Sequence, residues 1–415
     1  MSVLSSLNKS KENKRYLYYV YTGILFIFLF IIGLWVSFNK PLWNDEIYTQ
    51  IFSIDSKSYV DILSMHLFEG NSNPLFYLFQ KGICDIFHYK FPFPQGKKPY
   101  IFDVRSQIIL RLGSNILMSL SLSLIFYFFS RFYSIWLGWY VFLSAITSPM
   151  VWLYWAEARP YAMWFFLTTV QGLLFILILR QIFSIKNRSR RFCFIDYRLC
   201  IALSVTHILL SFTIVISLAQ IVIISALLLV LGFRPLRWYI FITLIPIAIC
   251  LFYYLFLAAP LRKYSVDAPL SLIVVAFPLD KIIVLGVYCI VTISLFIISK
   301  WKRNIIEYCR GLEQIRMSKV YIIFTILMVA AAFAFIGIYK MQDSGDSIYT
   351  LNNRYFINLT PVAIIATVMA AVGLLDTFRK DRWMFFNVIV FLIGMLFIGA
   401  FQSCAYLMSE GLFPC

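Results

Sequence analysis

Charge is what this sequence has least of. Only 13% of its 415 residues are Asp, Glu, Lys or Arg, against about 25% in an ordinary globular chain. With 61% hydrophobic residues and a mean hydropathy of +0.83, that scarcity excludes a soluble globular, disordered or fibrous protein. Apolar runs of about twenty residues recur along the whole chain, which also excludes an outer-membrane barrel, whose strands are short and alternating. The chain also lacks a C-x-x-C pair among its eight cysteines, so neither a disulfide framework nor a zinc site is implied. It lacks a P-loop, a Rossmann glycine fingerprint and a clear internal repeat, so ATP-driven and inverted-repeat transport have no support. An all-α polytopic membrane protein remains, because only helices and closed barrels satisfy their backbone inside lipid.

Acidic residues are scarcer than basic ones, 19 against 36, for a net charge of +17. The excess is not a nucleic-acid footprint, because the basic residues fall in short loops between apolar runs, as the positive-inside rule describes. Clear spans are expected at 17–38, 107–129, 133–154, 161–180, 238–258, 281–299, 319–339, 356–377 and 383–405. The first run follows a basic N-terminus but is too long for a signal-peptide core, and it reads as a transmembrane helix. The basic loops 180–198 and 300–319 are assigned to the cytoplasm. Parity then keeps 74–89 from crossing and sends 199–233 out and back, with Ser204, Thr206, His207, Ser211 and Thr213 as the expected turn. About 11 crossings result, with the N-terminus inside and interfacial helices in a first outer loop, 39–105. The cytoplasmic side would carry 22 Lys/Arg and 6 Asp/Glu and the outer side 14 and 13, which is the asymmetry the rule demands. The organisation expected is a cytoplasmic segment 1–16, a transmembrane catalytic domain 17–405 and a tail 406–415.

The unusual polar residues gather on the outer side. Asp45 and Glu46 lie just past the first span, between Trp43 and Tyr48. Neighbours on a helix point about 100° apart, so only one carboxylate can face a given substrate atom. As a pair they suit a general-base site, or equally a helix N-terminus, where carboxylates favour the dipole. His66 and Asn73 follow in the same loop, His66 as a ligand or an interfacial histidine. Glu157 and Arg159, before Pro160 and Tyr161, sit near membrane depth, where charges are expensive and either functional or paired. Arg354 and Tyr355 precede a late span, where an arginine suits a lipid phosphate or an interfacial anchor. Arg105 and Arg111 lie at the outer end of their span, and Arg111 is expected to face protein or a cavity.

Taken in order, these segments resemble a known family. Trp43 to Thr49 is similar to a first-loop Asp-Glu motif, and Asn73-Pro74-Leu75-Phe76-Tyr77 to a His-Pro-Pro-Leu-Tyr-Tyr segment. Arg111-Leu112-Gly113-Ser114 resembles an Arg-Leu-Pro-Ser. Ser148-Pro149 and Glu157-Ala158-Arg159-Pro160-Tyr161-Ala162 resemble a Ser-Pro followed by Glu-Ala-Arg-Met-Tyr-Ala. Thr206-His207, Gln220 and Arg354-Tyr355 resemble later positions. The family is the GT-C class of polyprenyl-phosphate-dependent glycosyltransferases, within it the protein mannosyltransferase and aminoarabinose transferase superfamily. Asn73 stands where the family has His or Lys, Gly113 where it has Pro, and Pro160 where it has Met.

The resemblance implies a GT-C-like fold and an inverting transfer of a sugar from a polyprenyl-phosphate donor to a hydroxyl-bearing acceptor (a lipid, glycan or protein of the cell envelope). Asp45 would be the catalytic base, and Glu46 would orient acceptor or sugar. Arg159 and Arg354 would neutralise the leaving phosphate. Tyr355, Glu157, Tyr161, His66, Asn73, His207 and Arg111 would complete the substrate site. A divalent cation is left open, with Asp45, Glu46 and Glu157 as its oxygen ligands; no other cofactor and no nucleic acid is expected. The carrier would be undecaprenyl phosphate, and the location a bacterial inner membrane with the site on the extracytoplasmic face. The alternatives are a ligase or polymerase using a diphosphate-linked donor, and a non-catalytic lipid or polysaccharide flippase.

The topology is tested by cysteines introduced at Lys97 and Ser189. They should be labelled from opposite sides of the membrane, and labelling of both from one side overturns the parity argument.

Overall fold

The computed structural model describes residues 2–67, 74–92, 103–186, 196–214, 216–231, 239–257, 278–301, 313–341, 357–379 and 381–409. The chain is an all-α polytopic membrane protein. Among the described residues, seven helices are long and apolar enough to cross a bilayer, eight if one bent pair counts as a span.

The first helix, α1 (Ser2–Asn39), packs along α5 (Val104–Phe132). Between them lie the short elements α2 (Asn44–Tyr48), its continuation as a π-helical turn through Asp55, α3 (Tyr59–Leu63) and α4 (Pro74–Ile86). Ser58 and Asp61 form a reciprocal capping box at the start of α3, and Asp103 caps α5 by accepting from the Ser106 N–H at 3.0 Å. At 13 residues, α4 is roughly 20 Å long, short of the approximately 30 Å hydrocarbon core.

The straight span expected at 133–154 is instead two helices, α6 (Ile135–Ile146) and α7 (Pro149–Trp155), bent by 69°. Pro149 is the cause. It has no N–H to give, and its ring disfavours helical geometry in the residue before it, so Ser148 is extended at φ −96°, ψ 121°. Next come α8 (Tyr161–Lys186), α9 (Tyr197–Ser211) and α10 (Ser217–Val230). The polar turn expected in 199–233 falls later than its residues suggested. Ser204 and His207 lie inside α9 and bond to the carbonyls of Phe241 and Ile242, at 2.8 and 2.9 Å. The chain breaks only after Ser211.

Four further helices follow: α11 (Ile240–Leu257), α12 (Leu279–Trp301), α13 (Glu313–Met341) and α14 (Leu359–Thr377). The last is α15 (Arg382–Ser409). Every residue of α14 from Leu359 to Leu374 is buried, so this helix is the centre of the bundle. In the most apolar stretches of α1 and α15 only 22% and 17% is buried, and the remainder is the apolar surface that lipid covers.

Close approach of α1 to α5 and α7 depends on Gly33. A Cβ there would stand 2.7 Å from Trp155 Nε1 and 2.9 Å from Asn115 Oδ1, whereas one at Gly23 would meet nothing within 4 Å. Both glycines gain about 1 kcal/mol of helix propensity on replacement by alanine, but only Gly33→Ala overpacks, at a cost of about 1–3 kcal/mol. Thermal unfolding in detergent should show Gly23→Ala at or above wild type and Gly33→Ala below it by that difference.

Candidate functional site

The site is built on the chain reversal between α1 and α2. Glu46 sits at the third position of α2 and reaches back to the Trp43 N–H at 2.9 Å. Its side chain is fully buried against that of Arg111 from α5. The guanidinium grips it bidentately, Nε to Oε1 at 2.9 Å and Nη2 to Oε2 at 2.6 Å. The remaining N–H groups of Arg111 go to the carbonyls of Ser37 (3.1 Å), Lys40 (2.5 Å) and Pro41 (2.8 Å). Glu46 Oε1 also accepts the Ala158 N–H at 2.7 Å. Five donors of one side chain and four acceptor positions of the other are therefore spent within the protein.

These bonds draw the Glu157–Tyr161 turn onto α2. Arg159, buried, donates from Nη1 to Thr49 Oγ1 at 2.6 Å and to the Asp45 carbonyl at 3.5 Å. Its guanidinium lies 5.9 Å from the centre of the Tyr161 ring. Tyr161 in turn packs on Tyr154 at 5.0 Å. Ser114 Oγ, on α5, donates to the Glu157 carbonyl at 2.5 Å. Asp45 is half-buried in the same turn as Glu46.

Of the residues singled out in sequence, Asp45, Glu46, Arg111, Glu157, Arg159 and Tyr161 thus meet in one corner. His207 is buried on α9, with Nδ1 against the Ile242 carbonyl. His66 is exposed, with Nδ1 2.8 Å from Ser64 Oγ. Asn73, Arg354 and Tyr355 lie outside the described residues.

Two expectations change. Glu46 was expected to orient acceptor or sugar and Arg111 to contact substrate, but each has its polar atoms committed to the other and to backbone. Glu46 is likewise a poor metal ligand, because its oxygens already accept four N–H bonds. Among the described residues no group of three or more His, Cys, Asp and Glu is gathered as for a metal. Thr49 was overlooked, although it stands one helical turn after Asp45, where it can orient Arg159.

No family model, curated protein or solved structure matches this chain.

Burial raises the pKa of Glu46, but the Arg111 charge and hydrogen bonds, Lys40 and the Trp43 N–H outweigh it and hold the carboxyl below its ordinary 4.5. The folded state therefore binds fewer protons than the unfolded one as pH falls through that range. The stabilisation is complete above pH 4.5 and is lost as the pH drops through the lower native value. Glu46→Gln and Arg111→Ala should each cost about 3–5 kcal/mol, because each leaves a buried charge uncompensated. Unfolding midpoints measured from pH 7 to pH 3 should fall more steeply in wild type than in Glu46→Gln.

Proposed function

We propose that this protein is an integral-membrane glycosyltransferase that moves a sugar from a polyprenyl-phosphate donor to a hydroxyl of a cell-envelope acceptor. The observation that carries the reading is a half-exposed carboxylate, Asp45, fixed by the Glu46–Arg111 pair against the turn that bears Glu157 and Arg159. A base must be ionised, accessible and held still. Glu46 meets the first and last conditions but not the second, whereas Asp45, one residue along the same helix, keeps surface open.

In the proposed step Asp45 takes the proton of the acceptor hydroxyl. The acceptor oxygen forms a bond to the anomeric carbon from the face opposite the phosphate. The bond from that carbon to the phosphate oxygen breaks, its electron pair leaves with the polyprenyl phosphate, and the configuration inverts. Arg159 supplies positive charge beside the departing phosphate, and Thr49 and Tyr161 orient its guanidinium. Glu46 and Arg111 are positioning residues. Arg354, with Tyr355, is the second cation proposed for the phosphate, and His66, Asn73 and His207 stay as outer members of the substrate site. Any divalent cation would be held by Asp45 and Glu157.

The membrane arrangement proposed has eleven crossings, with the N-terminus cytoplasmic and the site extracytoplasmic. It counts α9, α10 and α12 as crossings beyond the seven long helices and the bent pair. The charge asymmetry between the two sides supports the orientation. The compact length and the Lys-, Ile- and Phe-rich composition support an undecaprenyl-phosphate donor in a bacterial inner membrane.

Transfer would be measured in liposomes with a polyprenyl-phosphate sugar. Asp45→Asn should lower turnover about 10²–10⁴-fold with little change in donor affinity or unfolding midpoint. Arg159→Ala should weaken donor binding, and Arg159→Lys should recover only part of it, because lysine lacks the planar fork. Near wild-type turnover in Asp45→Asn removes it as the base, and a non-catalytic flippase would tolerate the change.

A further inference from the structure

The C-terminal end of α4 holds a residue in an unfavourable conformation beside an open cleft. The Tyr89 N–H returns to the Cys84 carbonyl at 2.8 Å and the His88 N–H to the Asp85 carbonyl at 3.2 Å, the paired bonds of a Schellman end. Glycine is usual at the left-handed position of that motif, but here it is His88, at φ +47°. The reversal brings Tyr89 and Lys90 back over a cleft of about 910 Å³ between α4, the end of the Thr49–Asp55 turn and the start of α5.

The wall carries acids and bases in different states. Each carboxylate already accepts a hydrogen bond within the protein. Asp55 accepts from the Phe91 N–H at 2.9 Å and Gln50 Nε2 at 2.7 Å, and burial pushes its carboxyl above the usual range. Asp85 accepts from the Tyr59 hydroxyl at 2.5 Å. Asp103 is the cap of α5. Lys81 donates to the Ile54 carbonyl at 3.3 Å. Lys90 and Arg105 are exposed on the cleft and make no hydrogen bond or ion pair among the described residues. Arg105 is held in place all the same: its guanidinium lies over the Tyr89 ring, 6.0 Å from the centre, and the Tyr89 hydroxyl is fixed by Ser106 Oγ at 2.5 Å. The cleft thus presents a planar donor fork and an ammonium that make no hydrogen bond or ion pair to its carboxylates among the described residues, donors that suit phosphate oxygens.

We propose that this cleft is a second binding site, taking a phosphate group borne on a hydroxyl-rich head group, with Arg105 and Lys90 as its phosphate ligands. The helical segment that carries Asp45 continues to Asp55 at the cleft wall, roughly 15 Å along its axis. A head group of two or three sugars can span that distance. The role of the ligand as acceptor rests on the transferase reading; the binding itself does not.

The probe is glucose 6-phosphate, titrated calorimetrically into the full-length protein in neutral detergent, with glucose as its uncharged counterpart. Glucose 6-phosphate should bind at least about tenfold more tightly than glucose. Arg105→Ala and Lys90→Ala should each weaken it about tenfold, Arg105→Lys should recover part of the loss, and the unfolding midpoints should not move. Asp45→Asn should bind it as wild type does. Absence of binding, equal binding of glucose, or wild-type affinity in the Arg105→Ala/Lys90→Ala double variant overturns the proposal. Repeating the titration in nanodiscs with a lipid phosphomonoester separates the sources. Competition supports a lipid-borne phosphate, and undiminished binding supports a soluble glycan phosphate. A chain that binds glucose 6-phosphate but transfers no sugar keeps the cleft and loses the transferase reading, whereas one that transfers without binding it loses the cleft alone.

Discussion

A buried charge in a membrane protein is tolerable only when every valence it carries is met, and the Glu46–Arg111 pair meets that condition. The ion pair joins two helix ends of opposite polarity. The carbonyl of Ser37, in the last turn of α1, and those of Lys40 and Pro41 just beyond it receive the guanidinium. Carbonyls at a helix C-terminus have no partner within the helix and draw a cation. The carboxylate sits in the first turn of α2, where exposed N–H groups favour an anion. A single interaction thus caps one helix, starts the next and anchors both to α5. Its desolvation cost is offset because no donor or acceptor of either side chain is left over. Replacing the arginine with lysine would keep the charge but supply three donors instead of five.

The chemistry proposed for Asp45 depends on this saturation. Were Glu46 only partly engaged, two adjacent carboxylates would share one field and each would disturb the ionisation of the other. With Glu46 neutralised by Arg111, the half-buried Asp45 carboxylate is relieved of that repulsion. The Ala158 N–H bond to Glu46 then brings the Arg159 cation to the same corner. On the proposed reading, α2 carries one carboxylate for structure and one for chemistry, and the difference between them is a rotation of about 100° along one helix.

Much of this was legible in the sequence, and the gaps have physical causes. Long apolar runs announce spans because lipid imposes them residue by residue, and α1, α5, α8, α13, α14 and α15 lie where hydropathy puts them. The break between α6 and α7 was written at Pro149 but was masked by unbroken apolarity on both sides of it. The corner was legible as a set of unusual residues, since Asp45, Glu46, Arg111, Glu157 and Arg159 all stand out against an uncharged background. What each does was not, because the partner of Glu46 lies 65 positions away and nothing local distinguishes a carboxylate that is spent from one that is available. The cleft beside α4 was less legible still. Its cations look like ordinary surface charge until the bonds that Asp55, Asp85 and Asp103 already accept are known.

The turn that carries Arg159 is held from both sides, which is what a site on a connecting segment requires. On one side are the bonds from Glu46 and Ser114. On the other, α8 begins at Tyr161 and is fixed ten residues later by an amide network. Gln220 of α10 donates to Thr168 Oγ1 at 3.1 Å and to Gln171 Oε1 at 2.9 Å, and accepts from Asn358 Nδ2, just before α14, at 3.3 Å. Amides buried among apolar helices have no water to turn to, so they bond across helices and fix rotation and register where apolar contacts alone allow sliding. The network ties α8 to α10 and to α14, buried from Leu359 to Leu374, the part of the bundle least able to move. Arg159 therefore stands on a short turn between two rigid anchors. Its guanidinium is oriented by Thr49 on the segment that also carries Asp45, so carboxylate and cation are fixed in one frame.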